Sequence, residues 1–205
     1  PSKGIINAKA TVEQTTTGYV SAGASALSVL TDNEFFGGSN EDLIAARAHN
    51  NRPILRKDFT VDEYQIVEAK AIGADAILLI AAALAPAQLR SLCAFAHTLS
   101  LEVLLEVHDE AELMNNLDAS ADLIGVNNRS LKTFEVNTNI SKQLAGKIPA
   151  GVVKVSESGI HDVETILELQ GFGYEGFLIG ENFMKTDTPG VAAHAFMTQL
   201  MKARK

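Results

Sequence analysis

The sequence predicts an α/β fold built from parallel strands, and two observations carry this prediction. First, seven short apolar runs recur along the chain, and most of them end on a charged, amide or glycine residue. Second, stretches with helical periodicity separate these runs, so a strand and a helix alternate every roughly 20 to 30 residues, as parallel βα units require. The seven runs are residues 26–30, 53–57, 76–80, 103–107, 123–127, 152–157 and 176–180.

This alternation is typical of a (β/α)8 barrel, the TIM-barrel architecture, although only seven βα units are visible. A helix is predicted over Thr11–Ala22, and Pro1–Gly4 before it is interpreted as a loop that follows a strand outside this sequence. Because a parallel barrel closes only when its first and last strands pair, seven strands would leave two open edges. We therefore interpret residues 1–205 as a single, N-terminally incomplete barrel domain, which is expected to be inactive or poorly folded alone.

Helix-start and helix-end signals support the helices between the runs. Thr60–Glu63 has the spacing of a capping box, and Gly73 suits the residue just past the end of that helix. Similar signals frame three later helices: Asp109 precedes one, His161–Asp162 precede residues 163–169 with Gly171 after them, and Thr188–Pro189 precede a last helix through Leu200. The runs at 76–80 and 176–180 are continuously apolar, which predicts strands covered on both faces.

Composition narrows the class of partner. The 46% hydrophobic content suits a substantial single core. The net charge of −8 argues against a nucleic-acid or membrane-surface partner, because both would need a basic face. The apolar run at 76–85 is about half the length that crosses a bilayer, and the single Cys93 is expected to be a core thiol in a reducing compartment. We expect a cytoplasmic protein that is monomeric, with weak self-association left open.

Three charged residues interrupt or close the apolar runs and are candidates for catalysis. The carboxyl ends of barrel strands line the active site, so Lys57 would project into the barrel mouth as a proton donor. The alternative is a surface lysine paired with Asp58. Glu106 and Glu157 place carboxylates within or at the end of strands, where burial is costly unless they are paired. An outward-facing glutamate is the alternative for Glu106, but a lysine with two carboxylates suits a reaction that moves protons between different atoms.

Amide and glycine residues close the later strands. Asn127 and Arg129 could orient and bind a carboxylate or hydroxyl, although a structural loop is a serious alternative for them. Two glycine-containing segments close the last two strands, where barrels often bind a phosphate: Ser158–Ile160 and Ile179–Asn182. The candidate contacts in them are Ser158, Gly159, Ile160, Gly180 and Glu181. The five histidines lack the spacing of metal ligands, and no nucleotide-binding fingerprint occurs, so neither a metal nor a cofactor is expected.

Seven segments, taken in order, resemble the indole-3-glycerol-phosphate synthase family of tryptophan biosynthesis. They are PSKG, SVLTDNEFFGGS, ILRKDF, EVHDEAEL, IGVNNRSL, VSESGI and FLIGENFM, and they extend over almost the whole chain. The resemblance implies a cofactor-free carboxy-lyase that binds a phosphorylated small molecule. It would convert 1-(2-carboxyphenylamino)-1-deoxyribulose 5-phosphate into indole-3-glycerol phosphate, carbon dioxide and water.

The resemblance also implies roles for individual residues. Lys57 matches the family's general acid and Glu106 its proton-transfer carboxylate in the dehydration, while Asn127 and Glu157 match residues that orient substrate hydroxyls and lysines. The residues 158–160, 180 and 181 match the phosphate cradle. Six residues match the pocket around the anthranilate ring: Phe36, Phe59, Leu78, Arg129, Leu131 and Leu178.

Two alternatives remain beside the lyase. A glutamate and a lysine that serve the family's site lie on the strand before the first segment; neither is in this sequence, and Lys3 does not replace the lysine. A truncated barrel that binds phosphate without turnover is therefore one alternative. A sister barrel such as phosphoribosylanthranilate isomerase is the other, and it is disfavoured because that family's cysteine and aspartate acid/base pair has no match at these strand ends.

Overall fold

A computed structural model describes residues 6–131 and 133–204, and within them seven strands form one fully parallel sheet in the order β1 to β7. The strands are β1 Leu27–Leu30, β2 Ile54–Lys57, β3 Ala76–Ile80, β4 Glu102–Val107, β5 Leu123–Asn127, β6 Val153–Glu157 and β7 Gly176–Leu178. The predicted strands are thus confirmed to within one or two residues. The segment Pro1–Gly4, predicted to be a loop, lies outside the described residues.

Helices follow the strands and cover the outer face of the sheet. They are α1 Val12–Ser21, α2 Asn40–His49, α3 Glu63–Ala71, α4 Pro86–Thr98, α5 Glu110–Asn115, α6 Asn139–Ala145, α7 Val163–Gly171, α8 Glu181–Met184 and α9 Pro189–Ala203. Two short 3₁₀ turns, Ala81–Ala83 and Leu117–Ala119, precede α4 and β5. The first helix was predicted over residues 11–22, and α1 lies within that range.

Two details of the helix ends differ from the prediction. Asp62, not Thr60, caps α3: its carboxylate accepts a hydrogen bond from the Tyr64 backbone N–H at 2.7 Å, and Gln65 completes the capping box. A carboxylate is the stronger acceptor, and Thr60 is instead buried. In α7, Gly171 is the last helical residue, and Gly173 supplies the left-handed turn with a φ of +87°.

The sheet separates two apolar clusters. A large cluster lies between the strands and the helices, while a smaller one fills the barrel interior with Leu55, Leu78, Ile80, Leu104 and Val155. Strand β3 is covered on both faces, as predicted. The same prediction for residues 176–180 is wrong: β7 is only half-buried, because it ends the described sheet and pairs on one side alone, with β6.

The first and last helices pack against each other at two glycines. A Cβ atom on Gly18 of α1 would lie 2.9 Å from Cα of Gly190 on α9, and the reverse approach is equally close at 2.8 Å. The two helix backbones can meet only because neither residue has a side chain. This contact brings α1 and α9, the first and last of the described helices, together on the outer side of the barrel.

Replacing Gly18 with alanine should therefore separate α1 from α9. We expect the free energy of unfolding to fall by about 1–3 kcal/mol, the usual cost of overpacking, as measured by urea denaturation. Gly146→Ala is the matched control, because a Cβ there meets open space at the end of α6. Equal stability of the two variants would contradict this packing.

Candidate active site

Lys57 ends β2 and lies in the barrel mouth. Its Nζ atom is 3.6 Å from Oε2 of Glu106 and 4.8 Å from the centre of the Phe36 ring, and its side chain is 16% exposed. The predicted alternative, a surface lysine paired with Asp58, does not occur. Asp58 instead accepts hydrogen bonds from Thr31 at 2.7 Å and from the buried Arg56 at 3.2 Å.

Arg56 anchors β2 from the face opposite Lys57. Its guanidinium also donates to the Gln65 carbonyl oxygen at 2.9 Å and to Glu68 at 2.7 Å. Because side chains alternate along a strand, this buried group on one face leaves the next residue, Lys57, facing the other. The network thereby fixes the point from which the lysine enters the mouth.

Glu106 and Glu157 are two buried carboxyl groups beside that lysine, exposed by only 2% and 1%. Burial alone would raise the pKa of Glu106, but the neighbouring His108 and Lys57 outweigh it and lower that pKa to about 2. Burial and the negative charge of Glu106 raise the pKa of Glu157 to about 8. At neutral pH the pair therefore shares one negative charge and one proton, and the adjacent His108 and Lys57 favour the charge on Glu106.

Each of these two residues keeps one carboxyl oxygen without a hydrogen-bond partner in the described part of the chain. The atoms are Oε2 of Glu106 and Oε1 of Glu157. Buried oxygen atoms normally find a partner, so these two are suited to receive one from a bound molecule.

Gly125 on β5 makes room for Glu157. A Cβ atom on Gly125 would overlap Oε1 of Glu157 and would lie 3.2 Å from a methyl carbon of Leu104. A glycine inside a strand often marks such a close approach. The sequence analysis placed this residue in an apolar run and did not identify its role, since the contact crosses from one strand to the next.

We expect Gly125→Ala to displace the Glu157 carboxyl group and to lower the free energy of unfolding by about 1–3 kcal/mol through overpacking. Urea denaturation measures the effect. Gly171→Ala, where a Cβ meets open space, is the control and should be close to neutral. Unchanged stability of Gly125→Ala would show that Glu157 does not occupy this position.

Asn127 and Glu157 are register partners at the ends of β5 and β6. The Asn127 side-chain oxygen accepts a hydrogen bond from the Arg129 backbone N–H at 3.0 Å, and its amide also lowers the pKa of Glu106. Arg129 reaches across the mouth to Glu181, with 3.4 Å between Nη2 and Oε2. The two residues thus contribute to the loop structure, as the alternative held, while both also line the mouth.

Asn128, absent from the predicted site, is completely buried behind these residues. Its Nδ2 atom donates to Ser156 Oγ at 3.0 Å and to the Ser158 carbonyl oxygen at 3.1 Å, and its Oδ1 atom accepts from Ser141 Oγ at 2.8 Å. Tyr174 donates to the Ser141 carbonyl oxygen at 2.7 Å. This network attaches the loop after β6 to the helical layer.

The two glycine-containing loops lie side by side at the mouth. Ser158 and Gly159 both have left-handed backbones, with φ of +64° and +76°, and a Cβ on Gly159 would lie 2.5 Å from Val136. The Ile160 side chain is buried, so only its backbone could contact a ligand. At Glu181 the carboxylate faces Arg129, so its backbone N–H, at the start of α8, is the group suited to an anion.

A cavity of about 140 Å³ joins these parts. Its lining includes ten predicted site residues: Lys57, Asn127, Arg129, Glu157, Ser158, Gly159, Ile160, Leu178, Gly180 and Glu181. It is also lined by Ile179 and Asn182, from the predicted phosphate segment, and by His161, which was not among the predicted site residues. A larger, open depression of about 460 Å³ lies elsewhere, between α1 and the loop that precedes β2, and contains none of the predicted site residues.

The residues predicted to hold an aromatic ring lie at different depths. Phe36 and Phe59 stack with ring centres 4.8 Å apart beside Lys57, so they form an apolar wall of the mouth. Leu78 is completely buried in the interior cluster and does not line the cavity. Leu131 is 51% exposed and does not line it either. Within the described residues no group of three or more histidine, cysteine or acidic side chains is arranged to hold a metal ion.

The fold and the mouth together define a class: a (β/α) barrel with a lysine and two buried carboxyl groups at the carboxyl ends of its strands. The indole-3-glycerol phosphate synthase family model matches residues 1–196. The chain is 51% identical over 197 residues to the indole-3-glycerol phosphate synthase of Bacteroides thetaiotaomicron, covering 96% of this chain and 75% of that protein. It is 47% identical over 191 residues to that of Bordetella pertussis, covering 93% and 73%. The chain belongs to the indole-3-glycerol phosphate synthase family.

Solved structures of low identity share the fold alone. KGPDC from Streptococcus mutans superposes with a TM-score of 0.69 at 15% identity, covering 95% of this chain and 96% of that one. Mandelate oxidase superposes with a TM-score of 0.73 at 14% identity, covering 93% and 66%. Both comparisons fit the predicted barrel architecture, which is confirmed.

Proposed function

We propose that this chain catalyses ring closure, decarboxylation and dehydration of 1-(2-carboxyphenylamino)-1-deoxyribulose 5-phosphate to indole-3-glycerol phosphate. Family membership supports the activity. The observation that carries the mechanism is the placement of Lys57 against an ionised Glu106 and a protonated Glu157 at the mouth. Neither the isomerase nor the binding-only alternative is favoured by the comparisons.

Lys57 is proposed to donate the proton in the ring closure. As the aromatic carbon that bears the carboxylate attacks the substrate ketone, negative charge develops on the ketone oxygen, and an ammonium group there converts it to a hydroxyl. An arene is a weak nucleophile, so the electrophile must be activated. The stacked Phe36 and Phe59 rings beside Nζ offer an apolar wall for the reacting ring.

Decarboxylation then needs no further acid. The cationic iminium formed by ring closure accepts the electron pair of the breaking carbon–carboxylate bond, and carbon dioxide leaves as aromaticity returns. In the dehydration the hydroxyl takes a proton from solvent and departs as water, while the ring carbon next to nitrogen loses a proton. The ionised Glu106 is proposed to accept that proton, and its 3.6 Å approach to Lys57 suits a return of the proton to the lysine.

Asn127 and Glu157 are proposed to orient the substrate hydroxyls, and the residues 158–160, 180 and 181 to bind the phosphate. The left-handed turn at Ser158 and Gly159 is held by Asn128, which prearranges the loop. Arg129 adds positive charge between the two glycine-containing loops. These assignments fit the phosphorylated small molecules on which the family acts.

A continuous fluorescence assay tests the activity. The full-length protein encoded by the gene is mixed with the carboxyphenylamino-deoxyribulose phosphate, and the rise of indole fluorescence is followed. Turnover supports the proposal. A folded protein that binds a reduced substrate analogue without producing indole would contradict it and favour the phosphate-binding alternative.

We also propose a single-domain, monomeric, cytoplasmic protein. Cys93 is completely buried and free, and burial raises the pKa of its thiol to about 11, which fits a structural role in the core. No helix in the described ranges is both long and apolar enough to cross a membrane. Light scattering coupled to size-exclusion chromatography measures the oligomeric state, and a dimer mass would overturn the monomer.

A further inference from the structure

His108 lies two residues after Glu106, just past the end of β4, and its ring lies between two carboxylates. Its Nε2 atom is 3.2 Å from Oε1 of Glu106, and its Nδ1 atom is 3.2 Å from Oε2 of Glu112 on α5. The His108 backbone N–H also donates to that oxygen of Glu112, at 2.7 Å. The side chain is only 10% exposed, so its orientation is fixed on both sides.

A position between two carboxylates favours the charged form of the ring. A neutral imidazole has one N–H and one bare nitrogen, so it would direct a lone pair at one of the two carboxylates. The imidazolium can donate from Nδ1 to Glu112 while its positive charge faces both anions. The Nδ1 contact is a hydrogen bond, while the Nε2 contact is a close ion pair.

We infer that His108 is a positioning residue for this reaction, whose imidazolium holds Glu106 ionised and oriented toward Lys57. Glu106 has a cation on each side, with Lys57 at Oε2 and His108 at Oε1. If Lys57 gives its proton to substrate, His108 is the cation that keeps Glu106 ionised and ready to accept one. This inference rests on the proposed function, since the role exists only if Glu106 moves protons.

The charges around His108 support this role. Burial alone would lower the pKa of His108, but Glu106 and then Glu112 outweigh it and raise that pKa to about 9. The ionisable groups that face the imidazole are Glu106 on β4 and Glu112 on α5; the charge of His108 also acts on Glu157 of β6, and Lys57 of β2 pairs with Glu106. Removing the imidazolium should therefore raise the pKa of Glu106 and protonate it at a higher pH.

Kinetics of His108→Gln test the consequence. We expect kcat to fall by about tenfold or more with little change in KM, and the acid limb of kcat/KM to move up by about one pH unit or more. Glu112→Gln keeps the backbone hydrogen bond but removes one anion; because His108 stays protonated at the pH of the acid limb, this variant should not move that limb upward. His97→Gln, at a surface histidine paired with Asp122 at 2.9 Å, is the matched control and should leave the profile unchanged.

A loss of activity in His108→Gln without any shift of the acid limb would overturn the inference, because a merely structural residue would behave in that way. Nitrogen-15 NMR of histidine in the wild-type full-length protein gives a test that does not depend on turnover or on variant folding. We expect both ring nitrogens of His108 to be protonated at pH 7.5. A neutral tautomer would overturn the inference, even if the enzyme turned over normally.

Discussion

Lys57→Ala is expected to lower kcat/KM by about 10²–10⁴-fold, the usual contribution of a positioned general acid. The variant removes the cation that lies at Oε2 of Glu106 and over the Phe36 ring. Because the ketone oxygen would then develop its charge without a proton donor, we expect the loss in kcat rather than in KM. The measurement is the indole fluorescence assay at substrate concentrations above and below KM.

Two further variants make this result specific. Lys57→Arg keeps a positive charge but does not give up its proton at neutral pH, so it should remain strongly impaired if proton donation is the essential contribution. Lys142→Ala removes a lysine whose partner is the surface residue Glu168, at 2.6 Å, and should retain full activity. Near-normal turnover of Lys57→Arg would assign Lys57 an electrostatic role instead of an acid role.

Glu157→Gln is expected to change how stability depends on pH. The pKa of Glu157 is about 8 in the folded protein and about 4.3 in an unfolded chain. Between about pH 4.3 and 8 the native state keeps the Glu157 proton, whereas the unfolded state has released it. The free energy of unfolding of the wild type is therefore highest below this range and falls as pH rises toward 8. Glutamine keeps the shape of the protonated acid and cannot ionise.

The variant should therefore gain stability relative to the wild type as pH rises from 5 to 8.5, by up to about 4 kcal/mol. Urea denaturation at a series of pH values measures the difference. Glu168→Gln, at a carboxylate that is 52% exposed, is the matched control and should follow the wild-type curve. The same pH dependence in Glu157→Gln and wild type would mean that Glu157 is ionised in the native protein at neutral pH.

The sequence pattern predicted the barrel and the polar residues at its mouth because both depend on local features. An apolar run that ends on Lys57 or contains Glu106 indicates the strand and the end at which chemistry occurs. Roles that depend on contacts between elements could not be predicted in this way. Gly125 matters because Glu157 lies on the neighbouring strand, and His108 matters because α5 brings Glu112 to it.

The sequence also could not predict how deep in the barrel each apolar side chain lies. Leu78 pairs in register with Leu104, two residues below the Glu106 position, so it fills the interior instead of lining the cavity. The N-cap of α3 could not be predicted either, because Thr60 and Asp62 lie two residues apart and both side chains can accept a hydrogen bond from the start of a helix. Whether the 205 residues alone are inactive or poorly folded stays a prediction, as do the catalytic roles of the individual residues.

The central claim is that Lys57 and Glu106 perform chemistry rather than bind substrate. The most direct measurement compares turnover with the affinity for a reduced, unreactive substrate analogue, in the wild type, Lys57→Ala and Glu106→Gln, each in the full-length protein. We predict turnover lowered by about 10²–10⁴-fold in both variants, with analogue affinity within about tenfold of the wild type. Affinity that falls in parallel with turnover, or turnover that is unchanged, would contradict the claim.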